Sequence, residues 1–546
     1  MSQTTVIIGG VAGGMSTATR LRRNDEDRTI IVLEASGYVS FANCGLPYHV
    51  GGVIPERQSL LLQTPESLKE RFNLDVRVNT RVTAIDPQAQ TVTTDSGDVI
   101  SYDQLVLSPG ATPFLPPIEG IDKALTLRTV EDVDRIVAAV EGKKSAAIIG
   151  GGFIGLEVAE NLRHRGMDVT IIEAADQIMG PLDPEMAAIV TQRLRDNGVT
   201  VLLSSMASAI TDHGVTLSDG ETIDTDLVIA AIGVRPASEL AREAGLAVGE
   251  RGGIKVDDQL RTSDPNIYAL GDAAEKVDFV SGNDVLVPLA QTANRHGRLL
   301  ADILTGRTEG TTHMQPVLGT AIVGLFGLAA ASTGWSEKRA RAAGKDIRVI
   351  HLHPVNHAGY YPGAAMLNMK LIVDATNDSI LGAQVVGEEG ADKRIDVIAT
   401  AMRAGLKAAD LADLELAYSP QYGSAKDPIN FAGFIDDNMI NGERTVQWHE
   451  LEALQEAGAV LVDVRTPGEF AAGAIPGAVN IPLDELRERH GEVAELAKSG
   501  NGEVIVHCRV GLRGHLAVTL LRNLGQDAAN LDGGYITWEH GQLARK

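Results

Sequence analysis

Two cysteines stand in a chain of 546 residues, and each lies in a segment that could present a nucleophile. Cys44 is part of Ser-Phe-Ala-Asn-Cys-Gly-Leu-Pro-Tyr at residues 40–48, and Cys508 ends a β-branched run that leads into a loop and a helical pattern. A free cysteine more often packs in a core than reacts. Because these two sit in separate glycine-marked loops far apart in the sequence, we interpret them as two single-thiol sites rather than a disulfide.

Length and composition limit the kind of protein that carries these thiols. A chain of 546 residues exceeds one hydrophobic core, so we expect several domains. Its 58 glycines, 44% hydrophobic residues and 4% aromatic residues favour a glycine-punctuated α/β fold. The formal charge of −24 disfavours nucleic acid and anionic membranes as partners. Neither a signal peptide nor a run of about 18 apolar residues occurs, and with free thiols this predicts a cytoplasmic protein.

The first segment that could hold a cofactor is a strand–glycine turn–helix pattern at the N-terminus. A β-branched run at residues 4–8 ends in a turn containing Gly9, Gly13 and Gly14, and the next strand closes on Glu34 about 20 residues later. Such glycines let the backbone approach a pyrophosphate, and the acid accepts hydrogen bonds from a ribose. Val11 replaces the usual second glycine, so a plain βαβ turn remains open as an alternative.

The same pattern returns in complete form after residue 145. Gly150, Gly152 and Gly155 have the G-x-G-x-x-G spacing, and the following strand ends in Glu173. A carboxylate at that position hydrogen-bonds a free 2′-hydroxyl and repels a 2′-phosphate. The sequence therefore predicts a second dinucleotide site that prefers NADH to NADPH.

A third segment indicates how the two sites are used. Residues 262–272 form a strand pattern that ends in Gly-Asp at Asp272, and two further strands end in glycine at Gly110 and at residue 233. Together these motifs resemble the pyridine nucleotide-disulfide oxidoreductase family over about residues 1–435. The resemblance implies FAD on the first module, with Asp272 on its ribityl chain, and NADH on the second, which is inserted in the first. It also implies that Phe153 covers the isoalloxazine until nicotinamide displaces it; the alternative for this side chain is helix packing.

Within that family, the residues around Cys44 narrow its chemistry. Dithiol members have a second cysteine five positions further on, where this chain has His49. Peroxide-reducing members place a histidine in the first glycine turn, where this chain has Ala12. These differences exclude the dithiol mechanism and weaken the peroxidase interpretation.

The Cys44 segment and the Gly-Gly-Val-Ala-Gly-Gly turn are similar to the coenzyme A-disulfide reductase subgroup. In that subgroup the cysteine forms a mixed disulfide with the thiol of the coenzyme, which requires a thiolate. The resemblance implies that Arg20 and Arg23 neutralise the phosphates of coenzyme A, while Ser40 and Asn43 contact its pantetheine end. The alternative for the two arginines is a solvated basic helix face.

Residues 325–435 resemble the dimerisation domain of the family, which implies a homodimer. By the same resemblance, Tyr360 (or Tyr361) and Tyr418 reach the thiol of the partner subunit and donate a proton or hydrogen bond to the leaving sulfur. The alternative is that both are core tyrosines with satisfied hydroxyls.

Three histidines in this region, His351, His353 and His357, have a spacing that suggests a metal site. No cysteine or acid nearby completes a ligand set, so we expect no metal.

The last hundred residues carry the second thiol. Val-Leu-Val-Asp-Val-Arg at residues 460–465, Gly-Ala-Ile-Pro-Gly-Ala at residues 473–478 and the segment from residue 504 to 513 resemble a rhodanese domain. Cys508 opens a loop whose backbone amides can surround a thiolate or persulfide. The resemblance implies that Asp463 and Arg465 brace the Cys508 loop. It also implies that Arg509, Gly511 and Arg513 belong to that loop.

The fold class that follows is α/β, with two Rossmann-like dinucleotide-binding domains, an α+β dimerisation domain and a C-terminal rhodanese domain. The predicted boundaries are 1–112 and 246–324 for the FAD-binding domain, 113–245 for the NADH-binding domain, 325–435 for the dimerisation domain and 446–546 for the rhodanese domain.

The function implied is NADH-dependent reduction, with FAD, of a small-molecule persulfide or polysulfide to hydrosulfide at Cys44. Coenzyme A enters as substrate carrier or bound cofactor, and Cys508 handles sulfane sulfur. Three alternatives remain open: a coenzyme A-disulfide reductase, which leaves Cys508 without a role, a protein that is primarily a rhodanese sulfurtransferase, and a non-catalytic flavin redox sensor.

Overall fold

The structure is a computed structural model that describes residues 3–307 and 309–545. The chain divides into two compact units. The first comprises the chain up to Ile178 together with Gly198–Gly319, and the second comprises Met179–Asn197 together with the chain from Thr320 onward.

The strands follow the β-branched and alternating runs of the sequence. In chain order they are β1 Thr4–Ile8, β2 Thr29–Leu33, β3 Asp75–Arg77, β4 Val82–Asp86, β5 Thr91–Thr94, β6 Val99–Ser101, β7 Gln104–Leu107, β8 Ala111–Pro113, β9 Ser145–Ile149, β10 Asp168–Ile172, β11 Val199–Leu202, β12 Ala207–Thr211, β13 Gly214–Leu217, β14 Thr222–Asp224, β15 Val228–Ala230, β16 Val234–Pro236, β17 Ile267–Ala269, β18 Lys276–Val277, β19 Asp284–Val285, β20 Ala321–Leu325, β21 Leu328–Gly334, β22 Ile347–Leu352, β23 Leu367–Asp374, β24 Ile380–Gly387, β25 Thr445–Val446, β26 Val460–Asp463, β27 Ala478–Asn480, β28 Val504–His507 and β29 Ala529–Leu531.

The helices begin mostly at glycine turns or at capping side chains. In chain order they are α1 Ala12–Asn24, α2 Leu46–Val50, α3 Pro65–Phe72, α4 Val130–Ala139, α5 Phe153–His164, α6 Pro184–Asp196, α7 Glu239–Glu243, α8 Ala290–Leu304, α9 Glu337–Ala342, α10 Ala391–Ala404, α11 Pro428–Ile440, α12 Leu451–Glu456, α13 Pro467–Ala472, α14 Leu483–Ser499, α15 Leu512–Asn523 and α16 Gly534–Ala544.

Two parallel sheets organise the first unit. One has the order β17-β7-β1-β2-β3, and the other has the order β11-β10-β9-β15. Parallel strands with helices on their faces are buried on both sides, which explains the continuous apolar runs in β1 and β9. Strand β17 returns to the first sheet after the chain has completed the second. The second dinucleotide-binding fold is therefore inserted in the first, as the sequence predicts.

The second unit contains an antiparallel sheet of order β20-β21-β24-β23-β22 and a parallel sheet of order β25-β29-β28-β26-β27. Every residue of β23 and β24 is buried, including polar ones, so both faces of the antiparallel sheet are covered. The parallel sheet has helices α12 to α15 in its connections, and Cys508 follows its central strand β28. The mixed α/β fold class is confirmed.

In the part of the chain that the structure describes, no helix combines the length and the apolar composition needed to cross a bilayer.

Candidate active site

The first unit contains a cavity of about 1050 Å³ in which the segments singled out by the sequence come together. Its walls are the turn after β1, the Cys44 segment, the turn after β7 and the Gly-Asp turn after β17. The predicted site residues that line it are Gly9, Gly13, Glu34, Ser40, Asn43, Cys44, Gly110 and Asp272. A volume of this size suits an extended ligand such as a dinucleotide.

The glycines of the turn after β1 lie so close to neighbouring backbone atoms that a side chain would not fit. A backbone without side chains here can approach a ligand closely. Gly9 has φ +99°, and a Cβ there would lie 2.1 Å from the carbonyl oxygen of Ser108. A Cβ on Gly14 would lie 1.9 Å from the carbonyl oxygen of Gly9, so helix α1 packs directly on the turn. The Glu34 carboxylate accepts hydrogen bonds from the backbone N–H of Gly10 at 2.8 Å and from that of Ser36 at 2.9 Å. This carboxylate is held at the open end of the turn, where it can accept a ribose hydroxyl.

Cys44 lies in the 3₁₀ turn Asn43–Gly45, immediately before helix α2, and its side chain is exposed. The neighbouring Asn43 amide faces Arg128. With the amide turned so that both of its groups are satisfied, its oxygen accepts from the guanidinium at 2.8 Å and its nitrogen donates to the Arg128 carbonyl at 3.2 Å. The same guanidinium lies 3.2 Å from the carboxylate of Asp272. Arg128 therefore connects the thiol segment to the Gly-Asp turn across the cavity.

The charges around Cys44 oppose one another. Partial burial and the carboxyl group of Glu157 raise the pKa of the Cys44 thiol, Arg128 lowers it, and Asp272 raises it. Tyr48 donates a hydrogen bond from its hydroxyl to Glu157 at 3.2 Å, and burial together with Glu157 raises the pKa of Tyr48 to about 12. The pKa of Glu157 is itself raised, mainly by burial. Of the groups acting on the thiol, Arg128 is the one that favours the thiolate.

The predicted coenzyme A contacts have different surroundings. Ser40 adopts φ +48° and donates its backbone N–H to the carbonyl of Gly10 at 2.8 Å, which places it on the cavity wall. Arg20 is paired with Asp302 at 2.9 Å, whereas Arg23 is exposed at the end of α1. Neither arginine lines the cavity itself.

The turn after β9 repeats the geometry of the turn after β1. A Cβ on Gly155 would lie 2.1 Å from the carbonyl oxygen of Gly150, the same close approach of helix to turn. Around Gly152 a Cβ would meet no atom within 4 Å, so this side of the turn is open to a ligand. Glu173 accepts from the backbone N–H of Gly151 at 2.7 Å, as Glu34 does in the first turn. Phe153 is the first residue of α5 and is partly exposed.

In the second unit, Tyr360 and Tyr418 lie next to each other. Their hydroxyl oxygens are 3.1 Å apart, and both side chains are exposed. The hydrogen bond to Tyr418 raises the pKa of the Tyr360 hydroxyl. Tyr361 bonds Gln421 instead. Exposure of both hydroxyls argues against the alternative that they are core tyrosines.

The three histidines whose spacing suggested a metal site do not converge. His351 contacts the carboxylates of Asp532 at 2.7 Å and Glu185 at 3.1 Å, and it is fully buried. His353 contacts the side chains of Asn368 and Thr537, and His357 contacts a backbone carbonyl.

An acidic cluster beneath β23 has the arrangement of a cation site. Asp183, Glu185 and Glu337 converge there, and the ammonium group of Lys370 lies 3.0, 2.6 and 2.7 Å from them. The ammonium thus supplies the positive charge that the three carboxylates require. Their field raises the pKa of Lys370 above its usual value, and Lys370 lowers that of Glu185.

The second thiol lies in a tight loop between β28 and α15. Cys508 is buried, and its sulfur accepts a hydrogen bond from the backbone N–H of Gly511 at 3.2 Å. Gly511 has φ +96°, a conformation that favours glycine and turns its amide toward the sulfur. The carbonyl of Cys508 accepts from the backbone N–H of Tyr535, while Arg509 is exposed. The loop thus offers an amide to a thiolate or persulfide.

Two charged pairs surround this loop. Arg465 forms a bidentate pair with Asp463, with contacts of 2.6 to 3.1 Å, and its guanidinium lies 4.4 Å from the ring centroid of Tyr535. Arg513 forms a second bidentate pair with Glu469, at 2.7 and 2.8 Å. The first pair contacts Tyr535, whose backbone N–H donates to the Cys508 carbonyl.

Comparison with known proteins matches these sites to established families. The profile described as pyridine nucleotide-disulphide oxidoreductase matches residues 3–297, the dimerisation domain of that family matches residues 320–427, and a rhodanese-like domain matches residues 447–540. The chain belongs to the pyridine nucleotide-disulphide oxidoreductase family. Members of this family use FAD and NADH.

Three relatives show how far the likeness extends. A coenzyme A disulfide reductase from Staphylococcus haemolyticus is 36% identical over 79% of this chain and 98% of its own length. The crystal structure of reduced CoADR-RHD from Bacillus anthracis is 46% identical, covers 99% of this chain and 98% of that one, and superposes with a TM-score of 0.95. A NAD-dependent persulfide reductase from A. fulgidus is 38% identical, covers 98% of this chain and 100% of that one, and has a TM-score of 0.91.

Three residues of these sites were missed by the sequence analysis, although each has a local signal. Arg128 directly precedes the capping box that begins α4 at Thr129. Glu157 belongs to the same glycine-marked helix start as Phe153. Glu469 is the third helical residue of the capping box that begins α13 at Thr466.

Proposed function

We propose that the protein uses NADH to reduce the sulfane sulfur of a persulfide or polysulfide to hydrosulfide at Cys44, and that its rhodanese domain handles sulfane sulfur at Cys508. The observation that carries this proposal is the pairing of two separated single-thiol sites in one chain. Cys44 opens on a cavity built for a dinucleotide, and Cys508 lies in an amide-lined loop. A plain disulfide reductase requires only the first.

For an organic persulfide R–S–SH, the balanced reaction is R–S–SH + NADH → R–SH + HS⁻ + NAD⁺. The Cys44 thiolate attacks the outer sulfur, the substrate S–S bond breaks, R–S⁻ leaves, and a persulfide forms on Cys44. Returning this persulfide to thiolate and hydrosulfide takes two electrons, which FAD, when bound, passes on from NADH. The role of Arg128 in this step is to favour the Cys44 thiolate that begins it.

The residues of the first cavity fit FAD. Such a cofactor needs a turn that has no room for a Cβ, a carboxylate at the open end of that turn, and a second carboxylate for the ribityl chain. The cavity has all three, the last on the Gly-Asp turn. We assign its pyrophosphate to the turn of Gly9, Gly13 and Gly14, its ribose to Glu34 and its ribityl chain to Asp272, with Gly110 on the opposite wall. Arg128 orients Asp272 through their ion pair.

NADH is assigned to the second turn. The open space at Gly152 suits the pyrophosphate, and Gly150 and Gly155 bring helix and turn together around it. Glu173, anchored by Gly151, presents a negative charge to the 2′ position, so NADPH is disfavoured. Phe153 stands at the start of α5, where nicotinamide would enter past it.

Coenzyme A is proposed as the carrier of the substrate sulfur. Ser40 and Asn43 lie on the cavity wall beside Cys44, where they can contact a pantetheine end. Arg23 is exposed and can bind a phosphate group. Arg20 already forms an ion pair with Asp302, so we expect it to bind phosphate more weakly than Arg23.

The assembly proposed is a cytoplasmic homodimer. The match to a dimerisation domain and the exposed pair Tyr360 and Tyr418 support the dimer, in which these hydroxyls serve the thiol of the partner subunit. Two cysteines that form no disulfide support the cytoplasm.

Coenzyme A-disulfide reduction is the second candidate, because the same Cys44 can form the mixed disulfide and curated relatives bear that name. Anaerobic NADH oxidation by the holoenzyme, measured with coenzyme A persulfide, coenzyme A disulfide, polysulfide and peroxide, separates the candidates. We expect the persulfide to have the highest kcat/KM and to release one hydrosulfide for each NADH. A higher kcat/KM for coenzyme A disulfide would make the second candidate correct, and peroxide turnover at a comparable rate would contradict both.

A further inference from the structure

The pair formed by Arg513 and Glu469 bears on which sulfur compound the Cys508 site accepts. Arg513 lies in the first turn of α15, directly after the loop, and both of its terminal nitrogens donate to Glu469, at 2.8 and 2.7 Å. The carboxylate is anchored in turn by Thr466, whose backbone N–H and hydroxyl donate to it at 3.1 and 2.9 Å. The guanidinium therefore has a fixed counter-ion built into the same domain.

The two partners perturb each other as a close ion pair does. Arg513 lowers the pKa of Glu469 to about 2, so this carboxylate is ionised throughout the physiological range. The pKa of Arg513 is raised, first by its hydrogen bonds to Glu469 and to a smaller extent by the Cys508 thiol. Arg513 thus interacts with the reacting sulfur through its charge and a hydrogen bond, while its terminal nitrogens are paired with the Glu469 carboxylate.

The remaining surroundings of the sulfur add little positive charge. Arg509 is exposed, and water and salt screen such a side chain. Leu512 and Leu516 lie one turn apart at the start of α15, and their side chains are about half exposed, at 55% and 48%. The start of α15, directly after the loop, therefore combines a paired guanidinium with exposed apolar side chains.

We propose that Glu469 determines the donor specificity of the Cys508 site: by neutralising Arg513 it disfavours the thiosulfate dianion and leaves the site to organic persulfides with an uncharged stem. This inference rests on the proposed function and names the donor class for its rhodanese domain. A dianion depends on uncompensated positive charge near the sulfur, whereas a neutral stem depends on apolar contact.

Both donors would load the same atom. With a persulfide, the Cys508 thiolate attacks the outer sulfur of R–S–SH, the S–S bond breaks, R–S⁻ leaves, and Cys508 becomes a persulfide. With thiosulfate, the thiolate attacks the outer sulfur, the S–S bond breaks, and sulfite leaves with two negative charges. Neither transfer involves a net oxidation or reduction, so neither needs NADH.

The test measures persulfide formation on Cys508 by intact mass, as the gain of one sulfur atom over time. It uses the full chain carrying Cys44→Ser, so that Cys508 is its single thiol, without NADH, and with thiosulfate or N-acetylcysteamine persulfide as donor. In this background we expect the persulfide to react faster than thiosulfate. Glu469→Gln should raise the rate constant for thiosulfate about tenfold, since one unit charge near the sulfur is no longer balanced. The rate constant for the persulfide, whose stem is uncharged, should change by less than about twofold.

Two further variants separate charge from structure. Glu469→Asp keeps the negative charge and should return the thiosulfate rate toward that of the background. Thr466→Val weakens the same helix cap without exposing the charge of Arg513, so the ratio of the two rates should stay unchanged. An unchanged thiosulfate rate in Glu469→Gln, or an equal acceleration with both donors, would overturn the proposal. Because no NADH is present and Cys44 is absent, this result is independent of whether the Cys44 reaction is correctly assigned.

Discussion

The two thiols of this protein differ in their exposure and in the groups that surround their sulfur atoms. Cys44 is exposed on a large cavity, and the groups acting on it are side chains from separate segments: Arg128 favours its thiolate, while Glu157 and Asp272 oppose it. Cys508 is buried, and its sulfur is held by the backbone of its own loop through Gly511. The first thiol depends on tertiary charge placement, and the second depends on local loop conformation.

The difference suits two kinds of chemistry. A thiol that must meet a bulky substrate and a cofactor needs an open cavity, and its reactivity can be adjusted by the charges around it. A thiol that stores sulfane sulfur needs protection from solvent and a donor for the terminal sulfur, which a loop amide provides. Cys508 also lies close in sequence to the buried ionic network around His351. Asp532, which pairs with His351, is three residues before Tyr535, whose backbone N–H donates to the Cys508 carbonyl.

The largest effect is expected from removing the ammonium group of Lys370, which lies among three buried carboxylates. Lys370→Met leaves three buried carboxylates without their counter-ion, which should cost about 3–5 kcal/mol of unfolding free energy in the second unit. Tryptophan fluorescence during urea unfolding reports this unit selectively, because all three tryptophans, Trp335, Trp448 and Trp538, belong to it.

The matched control for this measurement is Lys345→Met. Its ammonium pairs with Asp374 at 3.3 Å and is partly exposed, so the loss should stay below about 1 kcal/mol. Equal losses in the two variants would contradict the assignment of Lys370 as the essential counter-ion.

The second prediction concerns the pH dependence of the same unit. Hydrogen bonds to Asp532 and Glu185 outweigh burial and raise the pKa of His351 to about 9, compared with 6.5 for an ordinary histidine. A raised pKa in the folded state means that this stabilisation is complete below pH 6.5 and is lost as the pH rises through 9. Tryptophan-detected stability should therefore fall by about 2 kcal/mol or more between pH 6.5 and 9.5. A flat profile that matches that of His351→Gln would show that His351 is not protonated in the fold.

The third prediction tests the charge placement at Cys44. Arg128→Gln removes the one group that lowers the pKa of this thiol, so its alkylation at neutral pH should slow by about tenfold. The measurement is the rate of iodoacetamide incorporation at Cys44 in a Cys508→Ser background. Arg128→Lys keeps the positive charge and should retain most of the rate. If both substitutions slow alkylation equally, the effect is one of shape rather than charge.

The last expected effect is similar in size and opposite in sign. Glu157→Gln removes a negative charge that raises the pKa of Cys44, so alkylation should accelerate by about tenfold. Glu160→Gln on the same helix is the control, since Glu160 acts on Tyr48 and Glu157 rather than directly on the thiol. A slower reaction in Glu157→Gln would mean that Glu157 assists the thiolate instead.

Features encoded within a short segment were predictable from the sequence. The two glycine turns with their carboxylates, Glu34 and Glu173, and the loop from Cys508 to Gly511 all form within one strand–turn–helix unit, and their spacing carries the geometry. The roles of Tyr360 and Tyr418 were inferred from family resemblance rather than from spacing, and their mutual contact was not predicted.

Contacts between distant segments were not predictable. The link from Asn43 through Arg128 to Asp272 joins three parts of the chain, and nothing in the local sequence at Arg128 states its partners. Arg20 was predicted to meet phosphate, yet Asp302 on α8 already pairs with it. The spacing of the three histidines did not indicate which residues they contact. The partners of His351 are Glu185 and Asp532, which lie far from it in the sequence on either side.

The division of labour between the two thiols is tested most directly by sulfide release in single variants. The measurement is anaerobic, NADH-dependent release of hydrosulfide from coenzyme A persulfide by the wild-type, Cys44→Ser and Cys508→Ser holoenzymes. We expect Cys44→Ser to release hydrosulfide at no more than about a thousandth of the wild-type rate, because the attacking thiolate is gone. Cys508→Ser should keep most of its rate with this substrate. Release at the wild-type rate by Cys44→Ser would contradict the account.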